Sequence, residues 1–184
     1  MTVRAPVRPD LAASGPGRDQ AGLSLVDVLV CGSPDRGDDG AALAALARLV
    51  ATLPADVRVR VVGRLEVDDL LAVPAHAGVV IVDTVTGVDP GRIVRMPLRS
   101  LVGRESGLRL RSSNALAVPE VIGLADMIRR RPLVGVVVAV GGLEFGLGDA
   151  FSWPVSTALR AFGEAIVGAI DRVRAEVVGE ATRG

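Results

Sequence analysis

The chain has 184 residues, 49% of them hydrophobic, and its 21 basic side chains balance its 21 acidic ones. That length suits one domain with a sizeable core, which excludes general disorder, and the charge balance argues against a dedicated nucleic-acid surface. Every basic residue is Arg, and there is one Cys (Cys31) and one His (His76). Lysine Schiff bases, an internal disulfide, four-cysteine zinc sites and HExxH sites are therefore excluded.

Residues 1–22 carry scattered Pro and Gly with no continuous apolar segment, and read as a disordered leader of a cytoplasmic protein. No apolar run reaches membrane-spanning length. Residues 23–178 read as a single domain, with a frayed tail over 179–184. Within it, Leu25 to Cys31 is a β-branched-rich run closed by Gly32, as a buried strand would be. Leu43, Leu46, Leu49 and Val50 recur at helical spacing and predict a helix over Asp39–Leu53, stopped by Pro54. Val57 to Val62 alternates with Arg58 and Arg60, as an edge strand does. A short helix over Asp68–Val73 follows.

Gly78 to Asp83 is the clearest central strand. Asp89-Pro90-Gly91 marks a turn into an antiparallel edge strand over Arg92–Met96. Residues 99–113 read as a surface loop. Pro119–Arg131 is predicted helical, with Val121, Ile122, Leu124, Ala125 and Ile128 on its apolar side and a solvated arginine end. Leu133–Val140 is a further apolar strand. Ser152 is placed to cap a last helix that has Pro154 in its first turn. Strands alternating with helices predict a three-layer α/β/α sandwich: a mostly parallel five-stranded twisted sheet with one antiparallel edge strand.

Ligands in such folds bind beyond the carboxyl ends of the strands. Cys31 to Gly40 lies there, and it is not a nucleotide loop: GxGxxG and GxxxxGK[ST] are both absent, and its aspartates repel phosphate. Asp38 and Asp39 suit either a cation or simply the dipole at a helix start. Cys31 reads as a buried packing thiol. His76 precedes its strand and belongs at the opposite end of the sheet, which separates it from Cys31. Asp83 closes the central strand at the acidic end, as a loop cap or as a functional carboxylate. Glu66, Asp68 and Asp69 reach the same end, where Asp68 and Asp69 also suit a helix first turn. The glycine-rich Gly141 to Gly148 reads as a linker or as a loop facing a peptide.

In order and spacing these motifs resemble the hydrogenase maturation proteases. The resemblance rests on Val30-Cys31-Gly32-Ser33, Asp38-Asp39-Gly40, the strand Val79 to Thr84, Pro90-Gly91-Arg92-Ile93-Val94, Leu124-Ala125-Asp126 and Leu143 to Ser152. It spans roughly residues 25–175. It implies an endopeptidase, of aspartyl type in keeping with Asp38 and Asp39, that removes the C-terminal extension of a nickel–iron hydrogenase large-subunit precursor. No cofactor is tightly bound, and the nickel already inserted in the substrate is the recognition element. By this resemblance Asp39 and Asp38 are the catalytic residues. Asp39, Glu66 and Asn114 are the residues toward the metal, with Glu66 standing in for a family aspartate and Asn114 at the position of a family histidine. The two substitutions imply an alternative, a catalytically impaired relative that binds the hydrogenase assembly complex. A small-molecule-binding α/β domain is a third reading.

Overall fold

Residues 24–102 and 118–182 are described by the computed structural model. Val26–Cys31 forms β1, and all six of its residues are buried, as a strand covered on both faces requires. Val57–Gly63 forms β2 at one edge and is half-buried along most of its length. Gly78–Val85 is β3, buried along its whole length, Ile93–Pro97 is β4 and Gly135–Gly141 is β5. The order is β2-β1-β3-β5-β4, with every pair parallel except β4·β5. The predicted α/β architecture, including the antiparallel edge strand, is the one observed.

The helices divide between the two faces. Val28, Val30, Val80, Val82, Val138 and Val140 point toward Ala41–Ala47 (α1) and Trp153–Ala181 (α4). Leu29, Ile81, Val137 and Ala139 point toward Val67–Leu71 (α2) and Val118–Arg129 (α3). The two faces follow from the period of two along each strand. At the β2 edge, buried Asp27 accepts from Arg58 Nε at 3.0 Å, and Arg60 lies 3.6 Å from the same carboxylate. Arg60 also donates to the Asp69 carbonyl at 2.6 Å, tying β2 to α2.

Several elements differ from expectation. The helix predicted over Asp39–Leu53 is a 3-10 turn at Gly37–Gly40, then α1, then a second 3-10 turn at Val50–Thr52. Leu49 packs toward Gly163 of α4, where a Cβ would sit 3.5 Å from Leu49 Cδ1, so tertiary packing outweighs the local helical pattern. On α3, Leu124 and Ile128 are exposed, and Val118, Val121, Ile122 and Ala125 make the buried face. Arg129 is not merely solvated: its Nη1 donates to the carbonyls of Leu70, Leu71 and Val73 at 3.1, 3.4 and 2.8 Å, capping α2. The expected frayed tail is helical through Ala181. Among the described residues, no helix is long and apolar enough to cross a membrane. The expected leader, most of the 99–113 loop and Asn114 lie outside the described residues.

Candidate active site

The chain leaves β1 for one side of the sheet and returns to place β3 on the other. A crevice is expected where the strand order reverses, at the carboxyl ends of β1 and β3. The loop after β1 fills this place because of its glycines. Gly32 adopts φ +108°, and a Cβ there would lie 2.0 Å from the Asp39 carbonyl oxygen. Gly37 has φ +51°, and a Cβ there would lie 2.7 Å from the Glu144 carbonyl. These contacts fold the loop back on itself and press it against the segment after β5.

Asp38 is the anchor between the two loops. Its carboxylate is fully buried and accepts the N–H groups of Leu143, Glu144 and Ser152 at 2.8, 3.0 and 2.7 Å. Ser152 Oγ donates to it as well, at 2.7 Å. Asp38 N–H in turn donates to the Glu144 carbonyl at 2.8 Å, and its carbonyl accepts from Thr84 Oγ1 at 2.9 Å. Burial alone would push the carboxyl up, but the donors from Leu143, Ser152 and Glu144 outweigh it and hold the group below the usual carboxylate range. Expected as a helix cap, the Ser152 side chain serves this carboxylate instead. The glycine-rich segment is accordingly an anchored loop rather than a free linker.

Asp39 and Asp83 have a different environment. Asp39 Oδ2 accepts Ser33 N–H at 2.9 Å, and burial raises its carboxyl against the pull of that bond and of Arg36. Asp83 stands on β3 on the α2/α3 face, where its Oδ1 accepts Thr84 N–H at 2.8 Å. Its Oδ2 is buried with no partner. Burial, opposed by that one bond and reinforced by the nearby Asp39 charge, raises the Asp83 carboxyl to about 7. Both carboxylates thus lie at the carboxyl end of the sheet, near enough for the Asp39 charge to act on Asp83, and one buried oxygen of Asp83 is unsatisfied.

The other sequence candidates are placed as follows. Glu66 is the exposed N-cap residue of α2, and its N–H donates to Asp69 Oδ2 at 3.0 Å, which makes Asp69 a first-turn residue. Cys31 is buried and free, its thiol pushed well up by burial, then by Asp83, Asp69 and Asp39, so it stays protonated. His76 is exposed in the turn before β3, at the opposite end of the sheet from Cys31. Among the described residues, no group of three or more His, Cys, Asp and Glu is placed to hold a metal ion. The carboxylate that joins Asp39 is Asp83, which the sequence signals only by ending an otherwise apolar strand.

No protein-family model and no curated protein sequence matches the chain. Solved structures do. The NiFe hydrogenase maturation protease HycI from Thermococcus kodakarensis superposes with a TM-score of 0.60 at 19% identity, over 80% of this chain and 93% of that one. The maturating endopeptidase HybD from E. coli gives 0.61 at 15% identity, over 80% and 92%. A hydrogenase 2 maturation peptidase from a Thaumarchaeota archaeon gives 0.54 at 22% identity, over 79% and 97%. The chain has the α/β fold of the hydrogenase maturation proteases.

Proposed function

We propose that the protein is an endopeptidase of the hydrogenase-maturation type, acting on a nickel–iron hydrogenase large-subunit precursor after nickel insertion. The observation that carries this reading is the buried oxygen of Asp83 that lacks any partner, in a carboxyl group raised by burial and by the nearby Asp39 charge. Leaving such a group unsatisfied costs stability, and unsatisfied buried groups concentrate at functional sites. Two neighbouring carboxylates suit a divalent cation carried by the substrate, and nickel already seated in the precursor is such a cation. On this reading Asp39 and Asp83 face the nickel. Asp38 is a positioning residue that fixes the loop, and Glu66 serves α2. Hydrolysis adds water across the scissile amide to give a carboxylate and an amine, and the carboxylate pair supplies places to hold the moving proton.

The absence of histidine from the described part of the crevice, with His76 at the far end, favours a second reading: a relative that holds the precursor or its assembly complex without cutting it. One experiment separates the two. The protein is incubated with nickel-loaded and nickel-free large-subunit precursor, and the products are weighed by mass spectrometry. The first reading expects a shortened product only with nickel, its rate lowered about 100-fold or more by Asp39→Ala and by Asp83→Asn. A stable complex with no cleavage establishes the second reading, and neither cleavage nor complex overturns both.

A further inference from the structure

At the amino end of the sheet, remote from the carboxylate pair, lies a cavity of about 490 Å³ between β4, the start of β5 and the C-terminal half of α4. Its sheet-side wall is cationic, with Arg95 on β4, Arg99 just beyond it and Arg131 in the turn before β5. Arg172, Glu176 and Glu180 line the helix side, one turn apart. None of the four arginines is ion-paired among the described residues. Guanidinium groups gathered round one groove repel each other, and the two glutamates offset only part of that charge.

The shape of the groove decides between ligand classes. Its helix wall runs from Gly168 to Glu180, a length of about 18 Å at the helical rise, so the given volume is spread along a narrow slot. A slot of that length takes about five or six residues of extended chain. Among the described residues, no glycine-rich loop and no α-helix N-terminus lines it, as a compact phosphate ligand would favour. Beside it, β4 bonds only to β5 among the described strands, so half of its backbone groups face outward without a ladder partner. An added strand uses such groups. At Gly168 a Cβ would meet nothing within 4 Å, so the helix wall is open at that end.

We propose that this groove docks an extended acidic segment of a partner protein, its carboxylates on Arg95, Arg99 and Arg131 and its backbone beside β4. Arginine suits that task because its planar fork pairs carboxylates bidentately. The proposal stands apart from the cleavage reading, since the groove shares no residue with the crevice.

Fluorescence anisotropy with the full chain and a labelled peptide of alternating Glu and Val tests it. The acidic peptide is expected to bind at least about tenfold more tightly than its Lys–Val counterpart and to weaken with salt. The double variant Arg95→Glu/Arg131→Glu is expected to lose about tenfold or more in affinity. Gly168→Leu is expected to lose a similar factor without changing any charge, because its side chain fills the open space along the helix wall. Arg64→Glu, far from the groove, serves as the control and leaves affinity unchanged. Circular dichroism confirms that each variant keeps its helices. Affinity within about twofold of the native chain in either groove variant overturns the proposal. So does competition by inorganic tripolyphosphate as effective as that of the acidic peptide, for then the arginines form only a general cationic surface that guards the edge strand.

Discussion

Asp38 and Asp83 are both buried at the same end of one sheet, on opposite faces, and the chain treats them in opposite ways. Asp38 accepts three backbone N–H groups and a hydroxyl, and stays ionised below the ordinary range. Asp83 accepts one N–H, keeps an oxygen without a partner, and is raised to about 7 beside Asp39. Burial is common to both, so it does not decide the difference; the supply of donors does. A carboxylate saturated with donors builds structure, whereas one left short of them weakens the fold and is free to engage something else.

Removing the saturated group gives the largest expected effect on the fold. Asp38→Ala strands the N–H groups of Leu143, Glu144 and Ser152, at a cost of about 3–5 kcal/mol and a melting temperature lower by about 10 °C in calorimetry. Because the folded carboxyl lies below its unfolded value, its contribution is present above the unfolded pKa and is lost as pH falls through the folded one.

Asp83 should behave in the reverse sense. Its folded carboxyl is raised from 3.8 to about 7, so the folded state holds a proton that the unfolded state has released across that interval. Its contribution is intact below the lower value and is lost as pH rises through the higher. Asp83→Asn keeps the shape without the charge, and is expected to stabilise the protein by about 2–4 kcal/mol at pH 8 and by little at pH 4. Denaturant melts at the two pH values check this. A gain of equal size at both would show that Asp83 is not penalised for its charge, and the contrast with Asp38 would fail.

The sheet was legible because its strands are written locally: apart from Asp27 and Asp83, Val26 to Cys31 and Gly78 to Asp83 are apolar on both faces, whereas Val57 to Val62 alternates. The acidic loop was legible by its place after a strand. Its division of labour was not, since the donors to Asp38 lie 105–114 residues away in sequence. The unsatisfied oxygen of Asp83 exists only in the folded chain, whereas Glu66 is marked in the sequence by its resemblance to the place of a family aspartate. Arg129 was hidden the same way, reading as a helix end while it serves carbonyls 56–59 residues away. Arg129→Ala leaves three carbonyls at the end of α2 without that donor, and is expected to cost about 2 kcal/mol in urea melts while sparing the crevice.

Ser152 gives the smallest and most discriminating test. By position it caps α4, and a lost cap costs about 1 kcal/mol. By geometry its hydroxyl serves Asp38 and makes no side-chain bond to the helix start. Both accounts predict a similar loss for Ser152→Ala alone, because Asp38 keeps its three backbone donors. They part in a double-mutant cycle with Asp38→Asn. If the hydroxyl acts through Asp38, the two penalties overlap and the cycle shows a coupling of about 1 kcal/mol. If it acts as a cap, the penalties add and the coupling vanishes, and Asp38 would then be anchored by backbone alone.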